Sequence, residues 1–152
     1  MKHKILIVSA NYYKDISAGL ESAAEVALSI RRVKFKKIEV AGVFEIPVIL
    51  SKNIKKYSGF VALGCVIKGE TPHFDYISKT TISAIMNLSV KYKKPIGNGI
   101  ITCLNHLQAK ERSYDGERKH LSKKNKGKEA ATAVMSVLGI LKNESKWSSS
   151  KS

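Results

Sequence analysis

The sequence predicts an α/β fold in three layers, in which helices cover both faces of a four-stranded parallel sheet. Apolar runs that fit strands alternate four times with amphipathic segments that fit helices. The run at residues 60–67 is apolar almost throughout, as expected of a strand covered on both faces. The chain has 152 residues, which is most simply one domain. We expect residues 1–143 to form this domain and residues 144–152 to be a disordered C-terminal tail.

The first half of the chain provides two strands and two helices. The apolar run Lys4–Ala10 fits a central strand. Ser17 then precedes a helix whose apolar residues recur at helical spacing. These residues are Leu20, Ala23, Ala24, Ala27 and Leu28. Ile38–Ala41 fits a second short strand, and Pro47 is suited to begin a helix that continues to about Lys56.

The second half repeats this alternation. Phe60–Ile67 is the third strand, and an amphipathic segment after it continues to Tyr92. We expect its inner side to carry Ile82, Ile85, Met86 and Ser89. Ile96–Thr102 fits the fourth strand, Leu104–Arg112 a short helix, and Ser113–Lys124 a loop. The last helix is predicted from Lys126 to Leu141, with Ala130, Ala133, Val134, Val137, Leu138 and Leu141 on one face.

Composition and charge narrow the class of protein. The chain is 43% hydrophobic and 26% charged, which is typical of a globular protein, and no apolar run approaches the length of a membrane span. Cys65 and Cys103 lack metal-binding spacing and favour a reducing, cytoplasmic setting. The net charge of +15 is compatible with an anionic substrate, with nucleic acid or with a surface that is simply rich in lysine. Because the chain contains no recognisable nucleic-acid-binding motif, we expect neither a nucleic-acid partner nor a membrane partner.

The stretch GETPHFDY, at residues 69–76, lies between the most apolar strand and the longest helix. A strand that turns sharply into a helix presents free backbone N–H groups and the positive end of the helix dipole, which favours an anion. Thr71 offers a capping hydroxyl, Pro72 suits the first helical turn, and His73 can carry a proton near neutral pH. The stretch therefore indicates either a phosphate site with acid–base chemistry or a capped helix with a surface histidine.

Other loops at the same predicted edge carry side chains suited to a ligand. Tyr12 follows the first strand and could stack on a planar ring, or it could cover the end of a helix. Phe44 and Glu45 follow the second strand, where a carboxylate can bind sugar-like hydroxyls or remain in solvent. Arg112 can clamp a phosphate or lie on the surface. In a parallel sheet these loops converge beyond the carboxyl ends of the strands, which favours a site.

Four motifs in this order resemble the 6,7-dimethyl-8-ribityllumazine synthase family. They are VAGVFEIP at 40–47, ALGCVIKGETPHFDY at 62–76, PIGNGIIT at 95–102 and NKGKEAA at 125–131. The resemblance runs from about Lys4 to Leu141. It implies a flavodoxin-like α/β/α sandwich and a transferase of riboflavin biosynthesis that needs no metal ion or organic cofactor. The reaction it implies joins 5-amino-6-(D-ribitylamino)uracil to 3,4-dihydroxy-2-butanone 4-phosphate, giving 6,7-dimethyl-8-ribityllumazine, phosphate and water.

The resemblance also implies roles for individual residues. The residues that correspond to the family's pyrimidine site are Tyr12, Val43, Phe44, Glu45, Cys65, Val66, Ile67 and Asn98. Those that correspond to the butanone phosphate site are Glu70, Thr71 and Arg112. His73 corresponds to the histidine that transfers protons. Among these, Asn98 and Arg112 correspond to residues that the neighbouring subunit contributes.

The resemblance implies a homopentamer with active sites between subunits and a functional link to riboflavin synthase. Three positions depart from the common pattern: Ala41 replaces a Pro, Val43 replaces a smaller Ala, and Asn98 replaces a Phe in many members. The segment between Arg112 and Asn125 is longer than in members that form sixty-subunit capsids. We therefore expect a free pentamer or decamer.

Two other classes of function remain open from the residues. One is a lumazine- or flavin-binding protein without catalysis, which the presence of both His73 and Arg112 disfavours. The other is a basic nucleic-acid-binding domain, which would bind nucleic acid tightly and in a salt-sensitive manner.

Overall fold

The computed structural model describes residues 3–114 and 125–141, and its centre is a parallel sheet of four strands. The strands are β1 (Lys4–Ala10), β2 (Lys34–Val40), β3 (Gly59–Ile67) and β4 (Ile96–Cys103). The helices are α1 (Lys14–Ile30), α2 (Ile46–Asn53), α3 (His73–Tyr92), α4 (His106–Ser113) and α5 (Lys126–Val137). A single 3-10 turn, Val43–Glu45, precedes α2. The predicted α/β fold class is confirmed.

The sheet separates two hydrophobic cores, because successive side chains of a strand point to opposite faces. On one face, Ile5, Ile7 and Leu63 pack with apolar residues of α1, α4 and α5. On the other face, Leu6, Val8 and other strand residues pack with residues of α2 and α3. Both faces of β1 and β3 are therefore covered, and the three-layer sandwich expected from their apolar runs is confirmed.

The strand order β2-β1-β3-β4 creates a cleft at one position. The chain passes from β1 to β2 on one side, and then returns to place β3 on the other side of β1. The connections after β1 and β3 consequently leave the sheet in opposite directions, which opens a crevice beyond their carboxyl ends. This order is that of flavodoxin-like folds, whose ligands lie at this switch point.

Two elements near the N-terminus differ from their predicted bounds. Helix α1 begins at Lys14, and Ser17 lies inside it, where its buried hydroxyl donates to the carbonyl of Ala10 at 2.6 Å. Strand β2 begins at Lys34 instead of Ile38. It pairs only with β1 and is an edge strand, and its three lysines are exposed. An edge strand needs little apolar surface, and the first half of β2 has one apolar residue, Phe35, among these lysines, so it did not form an apolar run.

Three helices also end or face differently from the prediction. Helix α2 begins at Ile46 and ends at Asn53, short of Lys56. In α3, Thr81 and Ile85 are buried, whereas Met86 is 61% exposed. Helix α5 ends at Val137, two residues before Gly139. The φ of Gly139 is 78°, a value that residues other than glycine adopt only with strain. The buried face of α5 includes Ala131 and Met135, while Ala133 and Val137, which were predicted to lie on it, are exposed.

Two predicted segments lie mostly or wholly outside the described residues. These are most of the loop Ser113–Lys124 and the whole tail 144–152. Within residues 3–114 and 125–141, no helix is both long and apolar enough to cross a membrane.

The amino edge of the sheet, opposite the cleft, gathers basic residues that are far apart in sequence. The segments that lead into β2, β3 and β4 span residues 31–34, 52–58 and 91–95, and they contain no Asp or Glu. Their basic residues are Arg31, Arg32, Lys34, Lys52, Lys55, Lys56, Lys91, Lys93 and Lys94. The lysines look scattered along the sequence, but the parallel topology brings all of these segments to one edge.

Candidate active site

The switch point contains a cavity of about 310 Å³, which we call the first cavity. The loops after β1 and β2, the end of β3 and the start of α3 enclose it. Seven of the residues predicted from the sequence line it, namely Tyr12, Val43, Phe44, Cys65, Val66, Ile67 and His73. The strand order brings these residues together although they span more than sixty positions of the chain.

Two exposed aromatic rings stand at the mouth of the first cavity. Tyr12 is 74% exposed and Phe44 is 62% exposed. The ring of Tyr12 meets that of Tyr13 edge to face, with centroids 4.9 Å apart and planes at 83°. Large apolar rings that remain exposed beside a cavity gain free energy when a ligand covers them. This part of the site is suited to a flat, partly apolar ring.

The floor of the first cavity is the end of β3. Pairing between β1 and β3 stops at Leu63, whereas β3 continues to Ile67 and stays paired with β4. Backbone N–H and C=O groups that face the β1 side beyond Leu63 therefore have no strand partner. Unpaired backbone groups at the edge of a pocket can bind the donors and acceptors of a heterocycle.

The side chain of Cys65 is unsuited to ionic chemistry. It is buried, and desolvation, with smaller contributions from Cys103 and Asp15, raises the pKa of its thiol to about 12. The thiol consequently stays protonated at neutral pH, and Cys65 offers the ligand its backbone and a small apolar surface. Burial also raises the pKa of the nearby Tyr13 hydroxyl, helped by Cys65 and Tyr12, so this group stays neutral as well.

His73 is the first residue of α3 and lines the first cavity with an exposed side chain. Its backbone N–H donates to the hydroxyl of Thr71 at 3.3 Å. Pro72 is the N-cap and not the first helical residue, so Thr71 caps the helix from one position farther back than expected. This contact fixes the orientation of the turn that presents the imidazole. Ile77, one turn along α3, extends the wall below His73.

Five predicted residues do not line the first cavity, and three of them are exposed in the turns beside it. Glu70 and Thr71 lie exposed in the turn before α3. Glu45 is also exposed, and its Oε1 accepts a hydrogen bond from the backbone N–H of Gly42 at 3.0 Å. This bond closes the 3-10 turn that holds Phe44 at the cavity mouth. In this chain alone, Glu45 shapes the wall of the cavity without forming part of it.

The other two predicted residues, Asn98 and Arg112, lie in a separate cavity of about 370 Å³, which we call the second cavity. It runs along the open edge of β4, the outermost strand on that side of the sheet. The two cavities share no lining residue in the described part of the chain. The structure therefore does not bring Arg112 and His73 into one pocket within a single chain.

The second cavity is polar and contains two cations. Arg112 is half-buried, and its Nη1 donates to Sγ of Cys103 at 3.4 Å. Lys126 also lines this cavity, with its Nζ 3.1 Å from Oε1 of Glu129. Asn98 accepts a hydrogen bond from the backbone N–H of Ile100 at 3.0 Å through its side-chain oxygen, which leaves its amide protons available. Arg112 and Lys126 line the same cavity, and two cations there suit an anion such as a phosphoryl group.

Sequence reasoning did not assign several residues of these cavities to the site. In the first cavity these are Tyr13, Gly42 and Ile77, and in the second they are Ile100, Ile101, Thr102, Lys126 and Glu129. Helical spacing from His73 could have identified Ile77. Of the lysines at residues 119–126, Lys126 is the one within the described residues, and it lines the second cavity with Arg112. No group of three or more potential metal ligands occurs in the described residues.

Comparison with known proteins agrees with this geometry. The family model of 6,7-dimethyl-8-ribityllumazine synthase matches residues 2–142. A protein of that name from Methylocella silvestris is 40% identical over 139 residues, covering 87% of this chain and 81% of the relative. Similar matches of the same name come from Bartonella tribocorum (39% identical, 93% of this chain and 91% of the relative) and Agrobacterium fabrum (38%, 93% and 96%). The chain belongs to the 6,7-dimethyl-8-ribityllumazine synthase family.

Proposed function

We propose that this protein condenses 5-amino-6-(D-ribitylamino)uracil with 3,4-dihydroxy-2-butanone 4-phosphate to form 6,7-dimethyl-8-ribityllumazine, with release of phosphate and water. The observation that carries this proposal is family membership across residues 2–142, joined to a cavity at the switch point that family-matched residues line. The protein is then a transferase of riboflavin biosynthesis.

The pyrimidine is assigned to the first cavity. The exposed rings of Tyr12 and Phe44 are available to cover its faces, which would bury apolar surface on both partners. The backbone groups of Cys65–Ile67 that face the β1 side have no strand partner and offer donors and acceptors to the uracil edge. Val43 and Glu45, on either side of Phe44, are assigned to the ribityl chain and ring. The exposed carboxylate of Glu45 supports this role, since hydroxyl groups donate well to carboxylates.

The phosphate of the second substrate is assigned to two groups of residues. One is the turn at Glu70 and Thr71, which lies directly before the positive end of α3. The other is the pair of cations in the second cavity, Arg112 and Lys126. A guanidinium can bind two phosphate oxygens, and an ammonium adds a point charge, so together they favour the departing dianion.

The proposed reaction requires several proton transfers around one position. The 5-amino group attacks the ketone, and loss of water gives an imine. Removal of a proton next to the imine carbon then expels phosphate and leaves an enol, which gains a proton on its terminal carbon and loses its hydroxyl proton to become a methyl ketone. The ribityl-bearing nitrogen attacks this ketone and closes the ring with loss of a second water. His73 lies where both substrates would meet, and an imidazole can accept and return protons near neutral pH. Holding the substrates together supplies much of the remaining rate enhancement.

The separation of the two cavities supports an active site that is shared between subunits. The edge of β4 is unpaired in the single chain, and Asn98, Thr102 and Arg112 line the second cavity along it. Thr102 also lines a further groove, whose other wall is α3. An open edge of this kind is normally covered in an assembly. We propose a homopentamer in which the second cavity of one subunit completes the first cavity of its neighbour. Five chains of 16.8 kDa would give a mass of about 84 kDa, or about 168 kDa for a decamer.

Mixing two variants tests the shared site. Chains with His73→Ala and chains with Arg112→Gln would be refolded together in equal amounts. Activity would be measured at a butanone phosphate concentration well below the wild-type KM, where both variants are nearly inactive. If each site combines residues of two neighbours, about a quarter of the sites in random rings regain both wild-type residues, and activity rises to about a quarter of the wild-type value. If each site lies within one chain, the mixture shows only the mean of the two variants, which would refute the shared site. Light scattering checks the mass, and a value near a megadalton would refute a pentamer or decamer.

We also propose that the protein lies in the cytoplasm. Both cysteines are free and buried in the structure, which supports a reducing compartment such as the cytoplasm. Riboflavin synthase is the enzyme that we expect to consume the product there.

The direct test of the function is turnover. Purified protein would be incubated with both substrates while lumazine fluorescence and free phosphate are recorded. We expect one phosphate released for each lumazine formed, at a rate well above that of the same mixture without protein. Omission of either substrate and the His73→Ala variant are the controls. Absence of accelerated lumazine formation, with bound lumazine or flavin instead, would favour a binding protein and refute the proposal.

A further inference from the structure

Asn125 is a buried side chain that makes four hydrogen bonds. Its Oδ1 accepts from the backbone N–H groups of Gly127 at 2.7 Å and Lys128 at 3.1 Å, which caps α5. Its Nδ2 donates to the carbonyl of Gly19 in α1 at 3.2 Å and to the carbonyl of Tyr114 after α4 at 2.5 Å. One amide group thereby joins three separate elements, and the relative exposure of the residue is 0%.

The backbones around Asn125 are in direct contact. A Cβ atom at Gly19 would lie 1.8 Å from the carbonyl oxygen of Ser113, at the end of α4. A Cβ atom at Gly127 would lie 2.2 Å from the carbonyl oxygen of Leu20 in α1. Glycine at both positions lets α1, the end of α4 and the start of α5 pack without intervening side chains. We call this contact the α1–α4–α5 junction.

The two cations of the second cavity lie on either side of this junction. Arg112 lies two residues before Tyr114, whose carbonyl accepts from Asn125. Lys126 directly follows Asn125 and begins α5. Their separation in sequence is fourteen residues, but a single amide ties together the two backbone segments that carry them. Movement of either segment would therefore change the distance between the guanidinium and the ammonium.

Capping alone does not account for this residue. Ser, Thr and Asp cap helices about as well as Asn, and each supplies an acceptor for the first N–H groups. None of them supplies the two amide protons that bind Gly19 and Tyr114. We propose that Asn125 is a positioning residue that sets the spacing of Arg112 and Lys126, and through it the affinity of the second cavity for phosphate. This inference rests on the proposed assignment of the phosphoryl group to these two cations.

The test replaces Asn125 by Ser, which keeps a capping oxygen and removes both bridging protons. Inorganic phosphate is the probe, with its binding measured by calorimetry and its inhibition measured kinetically. For Asn125→Ser we expect phosphate to bind roughly 5- to 10-fold more weakly, and the KM for the butanone phosphate to rise by a similar factor. The KM for the pyrimidine should stay unchanged, because the first cavity does not touch the junction.

A matched control separates positioning from stability. Ser89→Ala removes the hydrogen bond from the Ser89 hydroxyl to the carbonyl of Lys94 at 2.6 Å, at the amino edge away from both cavities. This variant should lower Tm, as Asn125→Ser should, but leave phosphate binding and both KM values unchanged. If Asn125→Ser also lowers only Tm, or if both KM values rise equally, the positioning role is refuted.

A measurement on the wild type covers the case in which Asn125→Ser does not fold. By reciprocity, phosphate that tightens the cation pair must also stabilise the amide bridge. The side-chain amide protons of Asn125 should then exchange with solvent more slowly in the presence of saturating inorganic phosphate. Unchanged exchange would refute the inference. These phosphate measurements do not need turnover, so a failure of the proposed synthase activity would be recognised separately, in the lumazine assay.

Discussion

The two cavities at the carboxyl edge differ in construction. The first is formed at the switch point by the loops after β1 and β2, the end of β3 and the start of α3, and exposed aromatic rings border it. The second lies along the open edge of β4 and contains Arg112, Lys126 and Glu129. An aromatic ring is held by buried area from several directions, which one chain can supply at a crevice. A phosphoryl group is held by a few charges, which can be presented on an open edge for a neighbouring subunit.

Because the two cavities differ in this way, we expect their residues to affect different kinetic constants. Changes in the first cavity should affect the pyrimidine or the chemical step, and changes at the cations of the second cavity should affect the butanone phosphate. Variants that alter the kinetic constants for both substrates equally would contradict this difference between the cavities. The largest effect is expected at His73, to which we assign proton transfer.

Replacement of His73 by Ala should lower kcat by about 10²-fold and leave partial activity, because general acid–base catalysis is lost while binding remains. Steady-state kinetics at saturating concentrations of both substrates measure the change. His106→Ala is the matched control, since His106 is another exposed histidine near the same edge, paired with Asp15 at 3.1 Å. Unchanged turnover of His73→Ala would rule out the role in proton transfer.

Replacement of Arg112 by Gln should raise the KM for the butanone phosphate roughly 10- to 100-fold, because hydrogen bonds to a charged partner contribute about 1.5–3 kcal/mol. The KM for the pyrimidine should not change. Lys110→Gln removes an exposed charge from the same helix and provides the control for net charge. If the two variants behave alike, Arg112 acts only through the general electrostatic field.

Replacement of Phe44 by Ala should raise the KM for the pyrimidine roughly 5- to 10-fold, because stacking contributes about 0.5–1.5 kcal/mol beyond burial. The KM for the phosphate substrate should stay constant. Val48→Ala is a suitable control, because Val48 lies nearby in α2, is 56% exposed and does not line the cavity. An equal effect of Val48→Ala would contradict a specific contact of Phe44 with the ring.

The smallest effect is expected from Cys65→Ala. Its thiol, with a pKa raised by burial to about 12, is protonated at any pH below that value, so the pH profile from 7 to 9 should not change. Both KM values should stay within about 2-fold of wild type, since the expected contact is through the backbone. Cys103→Ala provides the comparison. It removes the sulfur that accepts from Arg112 at 3.4 Å and should affect only the phosphate substrate. A changed pH profile for Cys65→Ala would implicate the thiol.

Much of the fold was predictable from local pattern. The bounds of β1 were predicted without error, and those of β3 within one residue, because strands buried on both faces must be apolar throughout. The start of β2 was missed because an edge strand can be largely polar. The burial of Met86 was wrongly predicted, since helical periodicity defines an apolar stripe but not which part of it packs on the sheet.

The site was predictable only in part. The sequence by itself determined the types of residue that follow each strand and that His73 stands at a helix start, because these follow from neighbours in the chain. Tertiary structure decided which loops meet. It placed Tyr12, Phe44 and His73 around one cavity, turned Glu45 back onto Gly42, and put Lys126 beside Arg112. Strand order and helix packing decide which side chains meet in a cavity, and both depend on contacts between residues that are remote in sequence.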